Sequence, residues 1–142
     1  MTSSTSVLSS FFASPHFLRR VLWADAASGV ATGLLQFGFA DALAPLLGLP
    51  AELLLWSSYM LAAFVLGIAW IATRSTIAAG AVWLLIGGNA LWVLGCLGLL
   101  ASSQVAPTVF GVSFLITQAV TVGVFVELEW IGVRRIQAEP TW

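Results

Sequence analysis

Four apolar stretches, each long enough to cross a bilayer, take up most of this chain, and all of its arginines fall on one side of them. Crossing the hydrocarbon takes at least about 18 mostly apolar residues, so four spans leave little chain over. Arg19 and Arg20 precede the first stretch, Arg74 lies between the second and third, and Arg134 and Arg135 follow the fourth. The other two connections, residues 38–52 and 101–107, carry no basic residue. The positive-inside bias then places both termini and the middle loop in the cytoplasm. Short connections make successive helices antiparallel neighbours, so the expected fold is an all-α, integral membrane four-helix bundle running up-down-up-down.

Composition supports the membrane reading and removes several functions. Charged residues make up 8% of the 142 positions and the mean hydropathy is +1.02, against about 25% charged in a soluble domain. The expected location is a membrane, crossed several times. The chain has no lysine, which excludes a Schiff-base cofactor and a lysine nucleophile. Cys96 is the only cysteine, so CxxC redox chemistry is excluded. His16 is the only histidine, so a bis-His haem or multi-His metal site cannot form within one chain. A net charge of -1 argues against nucleic acid as a partner. No cofactor and no metal are expected.

Local signals divide the chain into a tail over 1–13, spans at about 14–37, 51–73, 76–100 and 107–135, and a frayed tail over 136–142. The Ser/Thr-rich start carries no early positive charge and does not read as a cleaved signal peptide. Ser14 and Pro15 suit an N-cap and first turn. Residues 41–47, closed by Gly48-Leu49-Pro50, read as a short amphipathic turn on the outer interface. Pro50 with Glu52, Ser75 and Pro107 suit the starts of the later spans.

Tryptophans give a second depth marker. Trp23, Trp70 and Trp130 each lie three or four residues from an arginine, as in a cytoplasmic aromatic belt. Trp56 and Trp92 are each eighteen residues from Arg74, about 27 Å away at helical rise and so near the opposite interface. Gly29 and Gly33 form a GxxxG pair, and Gly80, Gly87 or Gly88, and Gly95 recur along the third span. Such stripes allow close packing within the bundle or between protomers, and the internal reading is favoured.

Polar residues at membrane depth mark the candidate site. On the first span Asp25, Ser28, Gly29, Thr32 and Gln36 follow steps of three and four, as do Gln118, Thr121, Phe125 and Glu129 on the fourth. Both stripes are expected to face inward, because an acid exposed to lipid is costly. Counted from the arginines at helical rise, Gln36, Tyr59, Asn89 and Gln118 share a layer about 22 to 24 Å deep, and Asp25 and Glu129 one about 8 Å deep. Either the outer layer is interhelical hydrogen bonding that fixes register, or Gln36, Tyr59, Asn89 and Gln118 line a pocket for a small amphipathic ligand with Trp56 and Trp92 at its mouth. Asn89 and Gln118 are expected to interact, directly or through a ligand. Asp25 beside Glu129 would make a site able to relay protons or bind a cation, whereas Asp25 paired with Arg20 or Arg135 would be structural. Glu127 lies on the opposite face and reads as a snorkelling acid or a contact with another protomer.

At Ala24-Asp25-Ala26-Ala27-Ser28-Gly29, with Gly33 after it, and at Leu46-Leu47-Gly48-Leu49-Pro50, the chain resembles a group of small four-span bacterial membrane proteins with no assigned activity. Asn89-Ala90-Leu91-Trp92 and Gln118-Ala119 fit the same resemblance. It implies a compact four-helix fold in a bacterial inner membrane and nothing about a reaction. Small multidrug transporters also have four spans and an acid in the first, but the surrounding pattern differs, and the arginine bias argues against dual topology.

Two functions follow. The first is a non-enzymatic structural or partner-binding component, assembling as a homo-oligomer or in a larger membrane complex. The second is a small-molecule or lipid binder or transporter with a polar intramembrane pocket. For the second, the site residues are Asp25, Thr32, Gln36, Tyr59, Asn89, Trp92, Gln118 and Glu129. An enzyme ranks third, since no nucleophile, base and orienting group cluster in the sequence.

Overall fold

A computed structural model describes residues 16–138 and is all-α over that range. Its helices are α1 (Phe17–Leu47), α2 (Ala51–Ala72), α3 (Ala79–Ala101) and α4 (Val109–Ala138). All four are long and apolar enough to cross a membrane. The Ser14-Pro15 cap lies outside the described residues.

Two clusters hold the bundle together at its two ends. The first joins Leu18, Leu22 and Ala26 of α1 to Ile68 and Ile71 of α2, Val82 and Ile86 of α3, and Val133 of α4. The second joins Ala40 and Leu47 of α1 to Leu54 of α2, Cys96 of α3, and Leu115 and Ala119 of α4. The starts of α1 and α3 therefore meet the ends of α2 and α4. Arginines gather at the first end. The Arg19 guanidinium donates to the carbonyls of Ala72 and Arg74, the latter at 2.8 Å, closing the C-terminus of α2 where a cation suits the helix dipole. Arg135 lies over the Phe17 ring, and Arg74 and Arg134 stack on Trp70 and Trp130 at 4.1 and 5.4 Å.

Several boundaries differ from the sequence reading. Residues 41–47 are helical rather than a turn: the helix breaks at Phe39 (φ -130, ψ 21), close to the expected end of the first span, and a second helical piece runs on to Leu47, with Ala40 and Leu47 buried in the second cluster. The frayed tail begins later than expected, since α4 runs to Ala138. Ser75 caps no helix and α3 starts at Ala79, because the carbonyls of Arg74 and Ser75 are turned toward Arg19. Pro107 lies before α4. Thr108 is the N-cap, its hydroxyl accepting from the Gly111 N–H at 3.2 Å and donating to the Leu46 carbonyl at 2.6 Å. One side chain thus satisfies orphan groups at the ends of two helices.

Packing around the bundle is uneven, and this creates the cavity. α1 lies along both α2 and α4, and α3 lies along α4, but α2 and α3 barely touch. The GxxxG pair is used internally: a methyl added at Gly29 would come within 2.6 Å of Val65 Cγ2, and one at Gly33 within 3.6 Å of Leu61. On α3 only Gly88 is closely approached, by the Phe64 ring of α2, while Gly80, Gly87 and Gly95 face open space among the described residues.

Candidate functional site

The gap between α2 and α3 opens into a cavity of about 570 Å³, within the range of about 300 to 1,000 Å³ usual for small-molecule sites. Its rim is made by Trp56 and Met60 on α2 and Leu91 and Gly95 on α3. Met60 is 66% and Leu91 70% exposed. The opening is therefore sideways, between two apolar helix faces.

The α1 stripe forms the back wall, with Asp25, Ser28, Gly29, Thr32 and Gln36 all lining the cavity. From Asp25 to Gln36 is eleven residue steps, about 16 Å along the helix. α1 alone packs on both α2 and α4, so the face between those contacts looks across the gap. Most of the remaining lining is apolar, including Leu53, Phe64, Val65 and Phe114. The site is a greasy slot with a polar strip along its back.

At one end of the strip three buried polar side chains meet. Asn89 Nδ2 donates to Asp25 Oδ2 at 2.9 Å and to Glu129 Oε2 at 3.2 Å. One amide nitrogen thus bridges two carboxyls from α1 and α4. Glu129 is 0% exposed, and its Oε1 has no hydrogen-bond partner among the described residues other than the neighbouring Asp25 carboxyl. Asp25 and Asn89 line the cavity, and Glu129 stands behind them. No metal-binding group of acids, histidines and cysteine is found among the described residues.

Further along, Gln118 Nε2 donates to Thr32 Oγ1 at 3.3 Å. The Ser57 hydroxyl lies 2.8 Å from Gln36 Oε1 and 2.9 Å from the Leu54 carbonyl, and can donate to one at a time. Trp92 lines the cavity with a buried indole Nε1 that has no acceptor among the described residues. Buried donors of this kind are rare in finished packing. The strip therefore has an acceptor-rich end and, one turn along α3, an unused donor.

No family model, curated protein or solved structure matches the chain. The site must be read from its own chemistry.

Of the residues proposed from sequence, Asp25, Thr32, Gln36, Asn89, Trp92 and Gln118 line the cavity. Glu129 reaches it through Asn89. Tyr59 does not: it is 53% exposed and packs edge-on against Phe37 and Trp56 outside. Asn89 and Gln118 share the cavity but bond different partners. The two-layer depth reading also changes, because Asn89 lies with the acids. Counting from Arg74 treated the connection to Ala79 as helix. Measured from helix ends, Asp25, Asn89 and Glu129 lie about 12, 15 and 13 Å in.

Ser57 and Cys96 were not singled out from sequence, yet both line the cavity. Ser57 falls on one face with Leu61 and Phe64 at helical spacing, a weak signal beside the adjacent Ser58. The Ser58 hydroxyl is spent on its own helix, at the Leu55 carbonyl. Glu127 is exposed on the opposite side of α4 from the cavity.

Proposed function

We propose that this small membrane protein binds an amphipathic molecule that enters sideways from the bilayer into the slot between α2 and α3. The observation that carries this reading is the slot itself, with apolar lips open to the lipid side and a buried polar strip at the back. A protein that only filled space would have no need to hold α2 and α3 apart.

The test is retention of a ligand through purification. Gly95 faces open space on the rim, so Gly95→Trp should fit sterically and obstruct the slot. Native mass spectrometry of wild type is expected to show a stoichiometric small molecule, and Gly95→Trp to lose it while keeping its helical spectrum. A stoichiometric co-purifying protein, with no small molecule, would instead establish the structural or partner-binding role.

We further infer an up-down-up-down bundle with both termini cytoplasmic, in a bacterial inner membrane. The gathering of arginines at one end and the positive-inside bias support the orientation. The resemblance to small four-span bacterial proteins supports the location. In a Cys96→Ser background, a cysteine at position 41 should react with impermeant reagent added from outside the cell. Reaction only from the cytoplasmic side would invert the orientation and with it the depth of the acids.

A further inference from the structure

The acid end of the slot also specifies the head of its occupant. Resting on the reading of the slot as a ligand site, we propose that the ligand is an amine-headed amphiphile, its primary ammonium bound at Asp25 and its tail running toward Trp92 and Phe114. Three observations converge on this chemistry. The first is the imbalance of donors and acceptors. Two carboxyls offer four oxygens with several lone pairs, and the hydrogen bonds they receive from elsewhere in the described chain come from one amide, Asn89. Glu129 Oε1, in a side chain with no exposure, has no donor other than the neighbouring Asp25 carboxyl, with which Glu129 is in hydrogen-bond contact.

The second is charge. Arg19 is committed to backbone carbonyls at the end of α2, and no arginine forms an ion pair with Asp25 or Glu129 among the described residues. Buried carboxyls are normally paired, and here the open side of Asp25 is the cavity. A primary ammonium brings three donors and a positive charge together. A carboxylate head would be repelled, and a hydroxyl would bring one donor and no charge.

The third is the shape of the slot beyond the acids. Its walls past Thr32 are mainly Leu53, Leu61, Leu99, Phe114 and Leu115, which suit an alkyl or aryl tail. The opening lies beside Met60 and Leu91, so such a tail could follow the lipid chains in while its head crosses to the back wall.

Cys96 supplies the measurement, because it is buried and lines the slot. Its alkylation by a small membrane-permeant reagent is slowed by any occupant, whatever the head group. The probes are octylamine, octanol and octanoate, added to wild type, Asp25→Asn and Glu129→Gln in nanodiscs of a zwitterionic lipid. Octylamine is expected to protect Cys96 at least about tenfold more potently than octanol, with octanoate weakest, as charge-assisted bonding at a buried acceptor predicts. In Asp25→Asn the amine advantage should disappear while octanol protects as before. Glu129→Gln should reduce the advantage without abolishing it. Equal potency of amine and alcohol in wild type would overturn the amine assignment and leave the slot reading standing. Failure of all three probes to protect Cys96 would overturn both.

Discussion

Replacing Asn89 with leucine is expected to destabilise the folded protein by about 3 kcal/mol or more, the largest loss from any single side-chain truncation in the polar strip. The amide bridges Asp25 and Glu129, and hydrogen bonds to charged groups contribute about 1.5 to 3 kcal/mol each. Leucine would remove both bonds and leave two buried carboxyls facing an apolar group. If Asn89 were ordinary interhelical glue, the loss would be about 0.6 kcal/mol per bond, the average for membrane helices. The two accounts separate in a double-mutant cycle. Glu129→Leu added to Asn89→Leu should recover part of the lost stability, because it removes the fully buried acid that the first change stranded. Thermal unfolding in a mild detergent, followed by helical signal, checks this. A loss below about 1 kcal/mol for Asn89→Leu, with additive behaviour in the cycle, would mean that water rather than the amide satisfies the acids.

The bundle was legible in the sequence because its determinants are local and periodic. Span length, arginine placement and the tryptophan ring each depend on residues within one helix and its flanks. The α1 stripe was legible for the same reason: Asp25, Ser28, Thr32 and Gln36 recur at helical spacing, so they share a face whatever that face meets. What it meets was not legible. The Asn89 triad depends on where α3 begins, and that is set by Arg19 reaching across to the carbonyls after α2, a contact over fifty residues in sequence. Tyr59 went astray through angle rather than depth. It lies on the same helix as Ser57, but two residues is about 200° of rotation, so Ser57 faces the slot and Tyr59 faces out. A pocket was legible from its polar lining and from Trp56 at the rim, but its opening between α2 and α3 was not, since the near absence of packing between those helices is a property of four helices together.

The end of the slot away from the acids rests on a junction where backbone meets backbone, and Gly48→Ala is expected to break it at a cost of about 3 kcal/mol or more. Gly48 ends α1 in the left-handed region at φ 66, ψ 32, its N–H donating to the Ala44 carbonyl at 2.9 Å. That conformation costs a non-glycine residue about 1 to 2 kcal/mol. A second term comes from the Thr108 segment. A methyl at Gly48 would run into the Ala106 carbonyl and come within 2.9 Å of the Thr108 nitrogen, and backbone atoms cannot swing aside as a side-chain tip can. Overpacking of this kind costs about 1 to 3 kcal/mol more. The segment cannot easily retreat, because the Thr108 N–H and hydroxyl are bonded to the Leu47 and Leu46 carbonyls and Gly111 is pressed against the Leu47 carbonyl. Asparagine separates the two terms. It tolerates the left-handed region better than alanine but carries the same Cβ, so Gly48→Asn should recover only the conformational share. If Gly48→Asn restores wild-type stability, the close approach contributes nothing and φ alone explains the glycine. Gly87→Ala, with open space around its Cβ, is the control and should be neutral or stabilising by up to about 1 kcal/mol. Leu49 follows Gly48 directly and lines the slot beside Leu99 and Phe114. Loosening the junction should therefore also raise the rate of Cys96 alkylation in the absence of any added ligand.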